Sequence, residues 1–106
     1  MKLPREFKEK WVNALTNGEY QQTTHTLCDE YGFCAIGVAC RAAGVPEEQL
    51  MGKTNVNSDM VENYNLPLDI QDPENELLDI IIELNDSENL TFYQIASFID
   101  ENVEEV

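Results

Sequence analysis

The chain has 106 residues, of which 21 are acidic and six are Lys or Arg, so its formal net charge is -15. This length fits one hydrophobic core rather than two, and a clustered hydrophobic content of 42% predicts a folded domain. No apolar run approaches the roughly 18 residues of a membrane span. The charge opposes direct binding to nucleic acid or to an anionic membrane, so neither is expected as a partner.

The cysteine content and the N-terminus favour a cytoplasmic protein. Three cysteines are an odd number and too few for a disulfide scaffold, which favours a reducing compartment. Residues 1–6 are charged, and no apolar segment of a signal peptide follows them. We therefore expect this protein in the cytoplasm.

The acidic residues are concentrated in the second half of the chain. Residues 1–53 contain all six basic residues and seven acids, whereas residues 54–106 contain 14 acids and no Lys or Arg. Such a block can simply keep a surface solvated, or it can meet a basic partner. Both interpretations are open at this point.

Helix periodicity predicts the first element, from about Pro4 to Asn17. Its apolar residues recur with the spacing of one buried stripe: Leu3, Phe7, Trp11, Ala14 and Leu15. Pro4 suits the first helical position, and Gly18 supplies the left-handed residue that ends many helices. Trp11, the only tryptophan, is expected to be a core residue.

A β-hairpin and a short buried helix are expected next. Residues 20–27 are polar and β-branched without helix periodicity, which predicts a strand with one solvent-exposed face. Residues 29–32 have the composition of a turn, and a return strand is expected to begin at residue 33. Residues 35–43 are small and apolar almost all round, which predicts a buried helix in which Gly37 lets another backbone approach closely.

A short helix and a long loop are expected in the middle of the chain. The helix is predicted over residues 45–52, with Pro46 at its first position. Residues 53–68 contain four asparagines and little periodicity, so they are interpreted as a long loop with at most one turn of helix. Because such a loop adds few core residues, its deletion is expected to leave the domain folded.

Two helices are predicted at the C-terminal end. The central one is expected to begin with Asp72 as N-cap and Pro73 at its first position, and the last one with a capping box of Thr91 and Gln94. Joined by a short segment, the two should form an αα-hairpin. The predicted fold is α+β: a mostly helical single domain with a short antiparallel β-hairpin and a C-terminal αα-hairpin.

Four residues are candidate zinc ligands: His25, Cys28, Cys34 and Cys40. Only His25 and Cys28 have the close spacing of a structural zinc site, and buried free cysteine is common, so we expect core thiols and no metal. Pairing of Cys28 with His25 for catalysis is disfavoured, because their odd separation on a strand puts them on opposite faces.

Three stretches of the chain form a recognisable set. Residues 11–22 contain W-x-x-A-L and G-x-Y-x-Q, residues 33–40 read F-C-x-x-G-V-x-C, and residues 84–99 contain L-N-D and F-x-x-I-A-x-x-I. In this order they resemble a family of small uncharacterised proteins encoded largely by bacteriophages and prophages. The resemblance leaves residues 45–75 unmatched and implies a phage or prophage origin without a mechanism. Relatives often have two adjacent cysteines at the positions of Cys34 and Ala35, which weakens the zinc interpretation further.

The sequence predicts a protein that is not an enzyme and needs no cofactor. It has one histidine and no phosphate-binding, dinucleotide or calcium-binding motif. We expect a phage accessory protein that binds and modulates a host protein with a basic surface, with defence and nucleic-acid-handling factors as candidate targets. The residues expected to form its acidic surface are Asp72, Glu74, Glu76, Asp79, Glu83, Asp100, Glu101, Glu104 and Glu105.

A second class of function is open as the alternative, namely binding or sequestering a small, nucleotide-type molecule. It is based on the polar residues 21–26, whose donors and acceptors suit hydrogen bonding to a ligand beside the asparagine-rich segment. The candidate ligand-binding residues are Gln21, Gln22, Thr24 and His25.

Overall fold

The computed structural model describes residues 1–72 and 74–106. The described residues form the helices α1 (Arg5–Thr16), α2 (Ala35–Ala42), α3 (Glu47–Leu50), α4 (Ser58–Tyr64), α5 (Glu76–Asp86) and α6 (Phe92–Asn102), with a 3-10 turn at Leu68–Ile70. Strand β1 (Lys2–Leu3) pairs in parallel with β4 (Glu104–Glu105), while β2 (Cys28–Asp29) and β3 (Gly32–Phe33) form an antiparallel hairpin. The predicted α+β class is confirmed. No helix in the described part of the chain is long and apolar enough to cross a membrane.

Helices α1 and α2 form the centre of the core. Trp11 on α1 is fully buried, as predicted, and its Nε1 donates a hydrogen bond of 3.0 Å to the carbonyl of Ala35 at the start of α2. The other side of α1 packs against α6, whose buried residues include Ile95 and Ile99. The spacing of apolar residues along the first helix therefore predicted the buried face of α1.

Gly37 brings two backbones together, as expected. A Cβ at this position would overlap the carbonyl oxygen of Leu27, so a larger residue would push α2 away from the segment before β2. The same oxygen of Leu27 accepts a hydrogen bond of 3.3 Å from the backbone N–H of Cys34. Contact at Gly37 thus sets the distance between α2 and residues 20–27.

The strand predicted over residues 20–27 is wrong. Within this stretch, all of which the structure describes, a single bridge pairs Gln22 with Phe33, and the chain then bends through residues 24–27. His25 has a φ of +68°, and a left-handed residue cannot continue a strand. The hairpin therefore begins at Cys28, later than the composition indicates.

The long loop predicted over residues 53–68 is also wrong. Asn57 caps α4 by accepting a hydrogen bond of 2.9 Å from the backbone N–H of Met60, and Asn65 ends this helix with a φ of +55°. Two of the four asparagines are thus helix caps, which is a common use of this residue. The segment contributes Val56, Met60 and Leu66 to the core, so its deletion should unfold the domain.

The start of α5 differs from the prediction. Its N-cap is Asn75, whose side chain accepts a hydrogen bond of 2.9 Å from the backbone N–H of Leu77. Asp72 instead closes the preceding turn by accepting a hydrogen bond of 2.9 Å from the backbone N–H of Glu74. Pro73, which the sequence places at the first helical position, lies outside the described residues.

Helix α6 begins as predicted. Thr91 and Gln94 form the capping box, in which each side chain bonds the backbone N–H of the other residue. The consecutive helices α5 and α6 contact each other, as an αα-hairpin requires, although α6 packs more extensively on α1. The short helix predicted over residues 45–52 is present as α3, with Pro46 as its N-cap rather than its first residue.

Replacing Met60 by alanine should lower the free energy of unfolding by about 2–5 kcal/mol, because the truncation leaves a cavity in the core. Met60 is 2% exposed, whereas Met51 is 46% exposed, so Met51→Ala removes the same atoms from the surface and should cost about 0.5 kcal/mol or less. Urea denaturation followed by circular dichroism compares the two variants. Equal, small losses would contradict the burial of α4 against the core.

Candidate functional site

Asn85 on α5 is a buried polar residue, only 1% exposed. Its Oδ1 accepts hydrogen bonds from Gln22 Nε2 at 2.9 Å and from the backbone N–H of Ala35 at 3.1 Å. Its Nδ2 donates to the carbonyl of Thr23 at 2.9 Å and to Asp86 Oδ1 at 2.8 Å. All four hydrogen-bonding positions of the amide are therefore filled, so burying it carries no penalty for an unmade bond.

Asp86 extends this network to the surface. Its Oδ1 also accepts a hydrogen bond of 3.1 Å from the backbone N–H of His25, and its Oδ2 lies 3.3 Å from His25 Nδ1. The side chain of Asp86 is 15% exposed and that of His25 is 74% exposed. These contacts hold His25 in its left-handed conformation, which costs a non-glycine residue about 1–2 kcal/mol. We call Gln22, Asn85, Asp86 and His25 the Asn85 network.

The three sequence stretches of the recognisable set meet at the Asn85 network. The first stretch supplies Gln22, the second supplies the N–H of Ala35, and the third supplies Asn85 and Asp86. Trp11, also in the first stretch, bonds the carbonyl of Ala35. Residues of this set therefore connect α1, α2, α5 and residues 20–26, which is a structural role.

A cleft of about 60 Å³ opens beside the Asn85 network, and we call it the α5 cleft. Its lining comes from α5, from the start of α2, and from the segments that precede α2, α4 and α5. The buried part of the lining is mainly apolar and includes Ile36, Val56, Ile70, Leu78 and Ile81. The accessible part is mainly polar and includes His25, Thr26, Thr54, Asn55, Gln71 and Asp86.

Of the four residues proposed for ligand binding, His25 alone lines the α5 cleft, whereas Gln21, Gln22 and Thr24 do not. The amide of Gln22 is already bonded to Asn85 Oδ1 and to the carbonyl of Leu90, at 2.9 and 2.7 Å. The cleft is also several times smaller than the roughly 300–1000 Å³ of typical ligand pockets. These facts argue against a nucleotide-type ligand at this place.

The three cysteines are buried core residues, as predicted. Cys34 is the N-cap of α2, where its Sγ accepts a hydrogen bond of 3.4 Å from the backbone N–H of Gly37. Burial raises the pKa of the Cys34 thiol to about 11 and the pKa of the Cys40 thiol to about 12. Both side chains are therefore neutral near pH 7, the form that is a poor nucleophile and a poor metal ligand.

His25 and the cysteines do not form a metal site in this structure. The side chain of His25 lies at the surface, while Cys28 is fully buried. Among the described residues, no three or more His, Cys, Asp or Glu side chains are grouped so that they could hold a metal ion.

All nine residues predicted for the acidic surface are exposed, and their surroundings divide them into two groups. In the C-terminal group, Glu105 lies 3.6 Å from Arg5 Nε and 3.9 Å from Lys8 Nζ. The negative charge there is partly compensated. The second group lies on α5 and just before it, and none of its members forms an ion pair with another described residue. Its members are Asp72, Glu74, Glu76, Asp79 and Glu83.

Three of the uncompensated acids stand on one side of α5, and we call Glu76, Asp79 and Glu83 the α5 acidic face. Their spacing of i, i+3 and i+7 makes them neighbours along the helix surface, where like charges repel. The last turn of α5 contains Glu83 and Asp86 and no basic residue, so these carboxylates also stand at the negative end of the helix dipole. Like-charge repulsion and the position of Glu83 thus oppose the helix, whereas Glu76 and Asp79, in its first turn, interact favourably with the dipole.

Fold and site together define a small α+β domain that an internal polar network holds together and that presents an acidic helix beside a narrow cleft. Residues 3–50 are similar to an uncharacterised family, since they match a family model described as Domain of unknown function (DUF8296). This match covers just under half of the chain, from β1 to α3, and α5 with its acidic face lies outside it. Neither the curated proteins nor the solved structures contain a match to the chain.

A sequence signal for the Asn85 network exists in the pattern of α5. Asn85 stands four residues after Ile81 and eight after Leu77, so it occupies the apolar stripe of the helix rather than its solvent face. A polar residue on a buried stripe requires hydrogen-bond partners. Which partners these are depends on residues about 50 to 60 positions away and has no local signal.

Replacing Asn85 by alanine should lower the free energy of unfolding by about 3 kcal/mol or more. The variant leaves the N–H of Ala35 and the carbonyl of Thr23 without their partner, and each buried, unpaired group costs about 1–3 kcal/mol. Asn13→Ala, on the exposed face of α1, is the matched control and should change stability by about 0.5 kcal/mol or less. Similar urea midpoints for both variants would contradict the role of the network.

The raised pKa values of Cys34 and Cys40 should make stability fall at high pH. Above pH 9, the ordinary thiol value, the unfolded chain loses protons that the folded chain keeps up to about pH 11 or 12. The free energy of unfolding therefore falls as pH rises through this window, by roughly 1 kcal/mol per pH unit for each thiol, and is unaffected by the thiols below it. Urea unfolding at pH 8 and pH 10 measures the loss.

A Cys34→Ala/Cys40→Ala double variant is the control for this pH dependence, because lysines and tyrosines also titrate near pH 10. Between pH 8 and pH 10, the wild-type protein should lose about 2–3 kcal/mol more than the double variant. Parallel losses in the two proteins would show that the thiols are not held in an apolar environment.

Proposed function

We propose that this protein is a non-enzymatic accessory protein of a bacteriophage or prophage, and that it acts in the bacterial cytoplasm by binding a host protein with a basic surface. The α5 acidic face is the proposed contact. The observation that carries the proposal is that Glu76, Asp79 and Glu83 are exposed together on one helix face without an ion pair among the described residues.

The cost of this arrangement supports a binding role. A chain that needs negative charge only for solubility can place it away from other acids and near helix N-termini, where the helix dipole stabilises it. Here α6 has no acid in its first turn and has Asp100 and Glu101 near its C-terminal end, whereas α5 has Glu76 and Asp79 in its favourable first turn and only Glu83 and Asp86 near its unfavourable end. Proteins commonly keep such unfavourable features where a function requires them.

The chemistry of the α5 acidic face suits a partner that normally holds a polyanion. A row of carboxylates on a rigid helix presents fixed negative charges that can occupy a basic channel in place of nucleic-acid phosphates. The long-range field of a chain with net charge -15 would also speed the encounter with a basic protein. Defence factors and nucleic-acid-handling factors of the host are the candidate targets for this reason.

The resemblance to phage-encoded proteins supports the proposed origin, whereas the family match indicates neither origin nor function. The sequence stretches at residues 11–22, 33–40 and 84–99 resemble proteins encoded largely by phages and prophages, and residues 3–50 match an uncharacterised family. Protein binding is favoured over binding of a nucleotide-type ligand, because Gln22 is committed to the Asn85 network and the α5 cleft is small.

Neutralising the α5 acidic face should weaken capture of the partner. In affinity purification from host lysate at low salt, the triple variant Glu76→Gln/Asp79→Asn/Glu83→Gln should retain the main basic protein about tenfold less than wild type. It should also be about as stable as wild type, since removing like-charge repulsion offsets the lost dipole interactions of Glu76 and Asp79, so a loss of capture is not a loss of folding.

The matched control is Glu48→Gln/Asp59→Asn/Glu62→Gln, which removes three exposed charges from α3 and α4 and leaves the same net charge. This control should capture the partner as wild type does, and capture by both should weaken as salt is raised. Equal retention by the two triple variants, or no basic protein retained by wild type, would overturn the proposed function.

A further inference from the structure

The α5 cleft and the α5 acidic face share one edge of α5. Ile82, which is 39% exposed, lines the cleft and lies three residues after Asp79 and next to Glu83. Asp86, at the accessible part of the cleft lining, lies three residues after Glu83. Residues three apart are neighbours on a helix surface, so a molecule at the cleft mouth is also within reach of the carboxylates.

The lining of the cleft indicates what kind of group enters it. Its buried walls are the apolar side chains of Ile36, Ile70, Leu78 and Ile81, which favour an apolar occupant. Its volume of about 60 Å³ is below the roughly 150 Å³ of a cavity that holds benzene, which corresponds to a short side chain rather than a cofactor. The cleft therefore fits one small aliphatic group.

The charges around the mouth decide between a free small molecule and a side chain of a protein. Asp79 and Glu83 follow one edge of the helix without an ion pair among the described residues, and the second half of the chain contains no Lys or Arg. An occupant complementary to both features carries an aliphatic group between positive charges. A basic protein segment with one aliphatic residue has this chemistry, and binding energy commonly concentrates in such an anchor residue.

We propose that the α5 cleft binds a short aliphatic side chain, such as that of valine, from a lysine- or arginine-rich segment of the partner, while the flanking cations contact Asp79 and Glu83. This inference rests on the function proposed above and adds the chemistry of the recognised segment. The cleft supplies selection among basic segments, which charge alone does not provide.

Two synthetic pentapeptides test the proposal on the full chain: acetyl-Lys-Lys-Val-Lys-Lys-amide and the same peptide with serine in place of valine. Binding is followed by amide chemical shifts of the isotope-labelled protein at low salt. The valine peptide should bind several-fold to about tenfold more tightly, since burying a valine side chain is favourable on this scale. It should also shift the amides of Asn55, Gln71 and Ile82, whereas the serine peptide should shift those of the acidic face alone.

Two exposed aliphatic residues, Ile82 and Leu68, provide a test variant and its matched control. Ile82→Ala removes part of the cleft mouth and should reduce the affinity for the valine peptide by about threefold or more, without changing the affinity for the serine peptide. Leu68→Ala truncates a residue that is 65% exposed and outside the cleft lining, and it should bind both peptides as wild type does. Neither substitution empties a buried site, so both variants should remain folded.

The outcomes separate this inference from the function on which it rests. Equal affinities for the two peptides, with shifts along the acidic face and none at the cleft, would overturn the anchor site and leave the acidic contact standing. If neither peptide shifts the α5 acidic face, both proposals fail. Tighter binding of the valine peptide that is lost in Ile82→Ala would support the anchor site.

Discussion

The rest of the structure depends on the fully bonded side-chain amide of Asn85. A buried amide is costly unless its donors and acceptors are paired, and here the partners come from residues 22–23, from the start of α2 and from Asp86. Because an apolar contact tolerates sliding and a hydrogen bond does not, this network specifies one placement of α5 against α2. The α5 cleft is the space that this placement leaves.

In the part of the chain that the structure describes, acidic side chains near the C-terminus lie close to basic side chains, whereas those of the α5 acidic face do not. The basic residues of β1 and α1 lie beside the C-terminal acids, and buried Lys8 also donates to the carbonyl of Asp100 at 3.4 Å, where the end of α6 favours a cation. These contacts help to join the two ends of the chain. Glu76, Asp79 and Glu83 on α5 have no such partner among the described residues, so the negative charge there is uncompensated.

The family match and the proposed contact lie in different parts of the chain. Residues 3–50 supply α1, the hairpin, α2 and α3, which form the scaffold that contains Trp11 and the three cysteines. The α5 acidic face lies outside this part and is attached to it through Asn85 and Asp86.

The sequence by itself determined the elements whose signals are local. Apolar periodicity located α1, the small apolar residues 35–43 located α2, and the capping box of Thr91 and Gln94 fixed the start of α6, because each of these signals lies within a few residues. Tertiary structure alone decided the conformation of residues 20–27, since His25 takes its left-handed φ from a bond to Asp86, 61 positions away. Tertiary structure also decided that Asn57 and Asn65, which the sequence assigned to a loop, cap the two ends of α4. The α5 cleft is likewise formed by segments that are far apart in the chain. Such contacts form only when distant segments pack together, so no short stretch of sequence encodes them.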